Sequence, residues 1–268
     1  MPFCSCEDVS LYYEAHGEGL PLLLISGLSG GTWSWYGQVP CFQNHFNTIV
    51  YDNRGAGRSS LPPGPYHMGQ FAADALCLLD SLGVSQAFVL GLSMGGMIAQ
   101  ELAVLAPDRI RALFLGCTHC GGTTKIPPSP DVLRLLVSND GLDQRQIIEK
   151  NLPLFFSTGF LKTRPEAIDD YIEAQLQAPL QPEHAFAAQL AAIRTFDLCG
   201  RSHQVTMPTL IVTGTEDILV PPGNARLLAE RIPHSSVVEL PGAGHAIHVE
   251  QRDRLNDLAL DFFRKHSA

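Results

Sequence analysis

Gly91-Leu92-Ser93-Met94-Gly95 lies between an apolar run, Ala87-Phe88-Val89-Leu90, and a small-residue stretch, Gly96-Met97-Ile98-Ala99-Gln100-Glu101-Leu102-Ala103. An apolar run followed by helical spacing reads as strand, tight turn and helix. Glycines two positions either side of the serine let that strand and helix approach closely, so the turn presents the Ser93 hydroxyl instead of burying it. Larger side chains at 91 or 95 would collide with the adjoining elements. The helix start would also aim free N–H groups and partial positive charge at whatever Ser93 attacks. A lone G-x-S-x-G occurs in ordinary glycine-rich loops as well, so the reading needs partners elsewhere in the chain.

Two later segments supply them. Thr209-Leu210-Ile211-Val212-Thr213-Gly214-Thr215-Glu216-Asp217 is an apolar strand ending in carboxylates, and Val237-Val238-Glu239-Leu240-Pro241-Gly242-Ala243-Gly244-His245 is a second strand ending in glycines and a histidine. Nucleophile, acid and base thus follow in the order Ser, Asp, His. Each falls at the C-terminal end of a predicted strand, where an open α/β sheet places its ligand crevice.

The remaining pattern agrees. Val9–Ala15 alternates like a hairpin strand and ends at the turn Gly17-Glu18-Gly19, Pro21–Ile25 and Thr48–Tyr51 follow as buried strands, and Phe71–Leu82 has helical spacing before Gly83. Strand and helix alternate to residue 116, which predicts a mostly parallel sheet of about eight strands with helices on both faces. Between Gly121 and Met207 the strand signal fades into helix-like pieces. One begins at Pro165 and aligns Ile168, Ile172 and Leu176, and another begins near Pro182 and aligns Phe186, Leu190 and Ile193. Residues 1–120 and 208–268 are therefore expected to form the core, and 121–207 a helical cap inserted before the strand that carries the acid.

Composition bounds the partners. A chain of 268 residues with 45% hydrophobic content can bury one large α/β core, and a formal net charge of −9 argues against a polyanion-binding surface. The expected partner is a small molecule, not nucleic acid or membrane, and oligomeric state is not legible. No apolar stretch approaches 18 residues and the start has no signal-peptide pattern, so a soluble cytoplasmic protein is expected. Seven irregularly spaced cysteines are read as reduced thiols. Cys117-Thr118-His119-Cys120 resembles half a metal knuckle without a second C-x-x-C, so neither metal nor cofactor is expected. Asp52 reads as a loop organiser and Asp74 as a helix-surface or capping group. His16, His45, His67, His119, His184, His203 and His234 read as solvated, and His248 as a first-turn helix residue or a contact behind the His245 base.

With these motifs the chain resembles the α/β-hydrolase superfamily over nearly its whole length, and within it serine hydrolases of the esterase and enol-lactonase type. Besides the segments at 91–95 and 242–245, Tyr51-Asp52-Asn53-Arg54-Gly55-Ala56-Gly57-Arg58-Ser59-Ser60 is similar to the loop after the family's fourth strand, and Ala106-Pro107-Asp108-Arg109-Ile110 to the end of the helix behind the nucleophile. The resemblance implies a triad of Ser93, Asp217 and His245, with Asp217 preferred over Glu216. It also implies an oxyanion hole from the backbone N–H groups of Leu28 and Met94. One departure stands out: many members have His-Gly after the third strand, where this chain has Ser26-Gly27. The donors are backbone groups, so Ser26 does not abolish the hole.

Serine at the nucleophile position sets aside the aspartate-dependent dehalogenase and epoxide hydrolase branches and leaves carbonyl substrates. Trp33, with Trp35 near it, Phe155 and Phe156 are candidate pocket residues, against the alternative that such aromatics only pack the core and that at least one of the two tryptophans anchors its loop. The favoured expectation is hydrolysis of a small or medium, mainly apolar carboxylic ester or lactone through an acyl-enzyme. A carbon–carbon bond hydrolase of a vinylogous diketone and a slow-turnover small-molecule receptor are the alternatives.

Overall fold

The computed structural model describes residues 2–267. Eight strands form one sheet: β1 Phe3–Cys6, β2 Val9–His16, β3 Pro21–Ile25, β4 Asn47–Tyr51, β5 Ala87–Leu92, β6 Ile110–Gly116, β7 Thr209–Gly214 and β8 Ser235–Leu240. Their spatial order is β1-β2-β4-β3-β5-β6-β7-β8. The β1/β2 and β2/β4 pairs are antiparallel, and every later pair is parallel. The helices are α1 Val39–Phe42, α2 Met68–Ser81, α3 Met94–Leu105, α4 Pro130–Val137, α5 Gln144–Phe155, α6 Thr158–Thr163, α7 Pro165–Leu176, α8 Glu183–Thr195, α9 Gly223–Ala229, α10 Ile247–Glu250 and α11 Arg252–Lys265.

The central strands are apolar runs because both faces of the sheet are covered. Side chains alternate across it: Leu23, Ile25 and Val89 pack with Leu78, Met97 and Ile98 of α2 and α3, whereas Leu22, Leu24, Phe88 and Leu90 pack toward Phe263 of α11. Leu255, Ala259 and Phe263 recur every four residues and give α11 one buried stripe. Burying each such Leu or Phe contributes about 2 kcal/mol.

Helices α4 to α8 lie between β6 and β7, where the cap was expected. Pro165 begins α7 as anticipated from its sequence, at the position where a missing N–H costs least. Phe156, Ile168, Tyr171 and Ile172 form a separate apolar cluster that closes over Ala246. The insertion therefore has its own small core, seated on the loop that follows β8.

Several expectations are corrected. Strand β1 lies outside those predicted: its four residues carry too little pattern to register alone, but pairing with β2 buries Cys4 and Cys6. The thiols are not all reduced, since Cys6 is bonded to Cys77 and Cys120 to Cys199. Each pair is separated by 71 or 79 residues and is brought together only by the sheet and the base of the insertion. Asp74 is not a surface group. It is buried beside Arg54, which donates from Nε to Oδ2 at 2.6 Å and from Nη2 to Oδ1 at 2.7 Å. His119 is likewise buried instead of solvated, stacked on Phe196. Among the described residues no helix is long and apolar enough to cross a membrane.

The Arg54–Asp74 pair fastens the loop after β4 to α2, and the other carboxylate on Arg54, Asp8, is exposed. Asp74→Asn should therefore lower unfolding stability by about 3 kcal/mol, because it leaves the buried guanidinium with only the exposed Asp8 as a carboxylate partner. Urea denaturation with an unchanged m-value checks this.

Candidate active site

Ser93 joins β5 to α3 with φ 55° and ψ −119°, a conformation that L-residues avoid unless their surroundings impose it. Here they do. Ser93 N–H donates to the Gly116 carbonyl at 2.8 Å, and the Ser93 carbonyl accepts Gly96 N–H at 3.0 Å and the Thr118 hydroxyl at 2.8 Å. A Cβ on Gly95 would run into the Ile25 carbonyl, and one on Gly91 into the Gly95 carbonyl. Strand β3, the turn and α3 thus touch through bare backbone, which is why those glycines flank the serine.

The loop after β3 lies directly on this turn: a Cβ on Gly27 would sit 3.2 Å from Ser93 Cβ and 3.7 Å from its Oγ. Leu28 is the next residue. Met94 opens α3, and a first-turn N–H has no intrahelical acceptor. The two expected oxyanion donors therefore belong to segments that meet at Ser93. The backbone at Ser26 is held by Asn53, whose Nδ2 donates to the Ser26 carbonyl at 3.1 Å. Asp52 organises the same region as expected, accepting Thr32 N–H at 2.7 Å and Arg58 N–H at 2.9 Å, although burial pushes its carboxyl upward.

The other two expected residues meet each other. His245 Nδ1 donates to Asp217 Oδ2 at 2.7 Å, with both side chains almost fully buried. Asp217 Oδ1 accepts the Leu219 and Val220 N–H groups at 2.9 and 2.8 Å. Its two oxygens are thereby divided, one held by backbone and one by imidazole, and the proton on Nδ1 leaves Nε2 as the free basic nitrogen. Glu216 is exposed. The thiol of Cys117 gathers with the Asp217 carboxylate and the His245 ring, their nearest ligand atoms lying within 4.8 Å of one another. Burial, with Asp217 beside it, pushes that thiol well above the usual range, so it stays protonated. Ser93 Oγ forms no direct hydrogen bond with His245 in this structure; such contacts commonly close only around substrate.

Of the expected pocket aromatics, Phe155 at the end of α5 is half-buried with its ring 5.9 Å from the His245 ring. Phe156 turns the other way and packs between Phe160 and Tyr171 in the core of the insertion. Trp33 is half-buried and donates from Nε1 to Gln175 of α7 at 3.2 Å, while Trp35 is the buried anchor. Residues without a sequence signal also hold the site. Gln189 of α8 is fully buried, accepts Ser29 N–H at 3.0 Å beside Leu28, and donates to the Arg54 carbonyl at 2.8 Å. Glu250 and Ser157 join the insertion to the histidine loop. Nothing local marks these residues, because each acts on a segment distant in sequence.

A serine elbow and a buried Asp–His pair at the C-terminal ends of a mostly parallel sheet define a class of hydrolase, and comparison with known proteins agrees. A family profile described as the alpha/beta hydrolase fold matches residues 21–251. The chain is 31% identical over 264 residues to "Putative carbamate hydrolase RutD" of Azorhizobium caulinodans, covering 98% of each. It is 30% identical over 256 residues to "3-oxoadipate enol-lactonase 2" of Acinetobacter baylyi, covering 94% of this chain and 92% of that one. The crystal structure of the enol-lactonase from Burkholderia xenovorans superposes with a TM-score of 0.86 at 28% identity, covering 98% of this chain and 100% of that one. The chain belongs to the α/β-hydrolase family.

His119 bears on how this region responds to acid. Its Nδ1 accepts Gly121 N–H at 3.0 Å, and burial, aided by Lys125, pushes its pKa down to about 4 from 6.5. A depressed folded pKa means that the neutral ring's contribution is complete above about pH 6.5 and is lost as pH falls through about 4. Wild type should lose about 2 kcal/mol more than His119→Asn between pH 7 and 4.5, with asparagine keeping an acceptor for Gly121. Denaturation curves at the two pH values read this directly.

Proposed function

We propose that this chain is a serine hydrolase cleaving a small or medium, mainly apolar carboxylic ester or lactone through an acyl-enzyme. The observation that carries the reading is the buried 2.7 Å contact between His245 Nδ1 and Asp217, which leaves Nε2 as the nitrogen able to take a proton. A serine hydroxyl is almost wholly protonated at neutral pH, so Ser93 needs His245 to take its proton as it attacks the carbonyl carbon. Asp217 holds the imidazole in the required tautomer and stabilises the imidazolium. The Leu28 and Met94 N–H groups hold the oxyanion, each worth on the order of 100-fold in rate. His245 then returns the proton to the departing alkoxide, and water repeats the steps to release the acid.

The half-buried Phe155, 5.9 Å from the His245 ring, offers an apolar surface beside the base, which suits an uncharged acyl or alcohol group. Similarity to a lactonase over almost the full chain supports the lactone half of the reading. A carbamate is the second reading, supported by the relative named for that activity. Its carbonyl takes the same attack, but nitrogen conjugation makes it less electrophilic.

The test is turnover by wild type and Ser93→Ala of short-chain aryl esters, aliphatic lactones, carbamates and vinylogous diketones. Wild type is expected to prefer an ester or lactone with a burst of alcohol release, and Ser93→Ala to lose on the order of a million-fold in kcat. Equal hydrolysis by both proteins would remove Ser93 from the chemistry. Preference for diketone would make the chain a carbon–carbon hydrolase, and tight binding without turnover would make it a receptor.

A further inference from the structure

Glu250 lies at the end of α10, five residues beyond His245, and takes no part in the Ser-His-Asp chemistry. Its carboxylate nevertheless joins two parts of the molecule. Oε1 accepts Gly244 N–H and Ser157 N–H, both at 2.8 Å, and Oε2 accepts the Ser157 hydroxyl at 2.8 Å. Gly244 immediately precedes the histidine. Ser157 is buried at the junction of α5 and α6 in the inserted helices. Beside it, Ala246 N–H donates to the Phe155 carbonyl at 2.8 Å. The backbone N–H groups on both sides of His245 are therefore held, one by Glu250 and one by the insertion itself.

The packing leaves no slack. A Cβ on Gly244 would sit 2.8 Å from Glu250 Oε1, 2.8 Å from Ser157 N and 2.9 Å from the Phe155 carbonyl oxygen. Burial pushes the Glu250 carboxyl upward, against the hydrogen bonds from Ser157 and Gly244 that favour its charged form. Such a half-buried carboxylate, satisfied by three donors from two segments, fixes their relative position more sharply than apolar contact would.

We propose that Glu250 is a positioning residue for His245, its carboxylate locking the histidine loop to the α5–α6 junction and so setting where Nε2 stands relative to Ser93. The inference rests on the serine-hydrolase reading. Loss of the carboxylate lets the loop move by a fraction of an ångström to an ångström, and a displacement of that size costs up to about 100-fold in a positioned reaction. The insertion, on this view, is part of the catalytic scaffold as well as a roof.

The test follows covalent labelling of Ser93 by a fluorophosphonate and hydrolysis of p-nitrophenyl butyrate, normalised to titrated active sites. Glu250→Ala should slow labelling and lower kcat by about 10 to 100-fold with KM within about threefold. Glu250→Gln keeps an oxygen at the same reach and should recover most of the loss. If the alanine variant does not fold, Glu250→Asp, whose carboxylate falls short by one methylene, carries the same expectation. Labelling and kcat within twofold of wild type in the alanine variant, or in Glu250→Asp when alanine does not fold, would overturn the proposal, as would a rise in KM with kcat unchanged. Failure of the underlying reading looks different, since wild type would then resist the probe or Ser93→Ala would label equally.

Discussion

The turn at Ser93 is the constraint on which the site depends. A left-handed backbone at a non-glycine residue costs roughly 1–3 kcal/mol and persists only where the surroundings over-determine it. Here the central strands β3, β5 and β6 do so, through the Gly116 carbonyl that receives Ser93 N–H and the Ile25 carbonyl that excludes any side chain at Gly95. The same crowding brings Gly27 against the serine and so carries Leu28 to it. Strain at Ser93 and proximity of the Gly27-Leu28 loop are consequences of a single close approach.

Around that point the inserted helices contribute polar side chains, not only apolar cover. Gln189 holds the backbone beside Leu28, Gln175 holds Trp33, and Ser157 meets Glu250 beside His245. Buried polar contacts of this kind add little net stability, since each replaces bonds to water, but they penalise every geometry that leaves a partner unpaired. Their value in this fold is positional. Core and insertion are further tied where Cys120 is bonded to Cys199, next to the pairing of Gly121 with Asp197.

How far the chain could be read in advance follows from how local each signal is. Strands β3 and β5 are continuous apolar runs because they are buried on both faces, and α7 announces its own start with Pro165. The order Ser93, Asp217, His245 could be read because each residue follows a strand, and the last two lie 2.7 Å apart in the fold. Strand β1 escaped because four residues define no period. Asp74 and His119 were misplaced because an isolated polar residue in a helix or loop is usually solvated, and only Arg54 and Phe196, both remote in sequence, make burial affordable. The cysteine spacing misled for the same reason.

By itself, then, the sequence determined most of the elements, their alternation and the three residue types that could share a proton, since these rest on period, glycine placement and strand ends within short windows. Tertiary structure alone decided that Phe155 borders His245 while Phe156 does not, which cysteines are bonded, and that Glu250 and Gln189 hold the segments beside His245 and Leu28. Those outcomes depend on distances between residues far apart along the chain. Only the packing of a twisted sheet against its helices sets such distances.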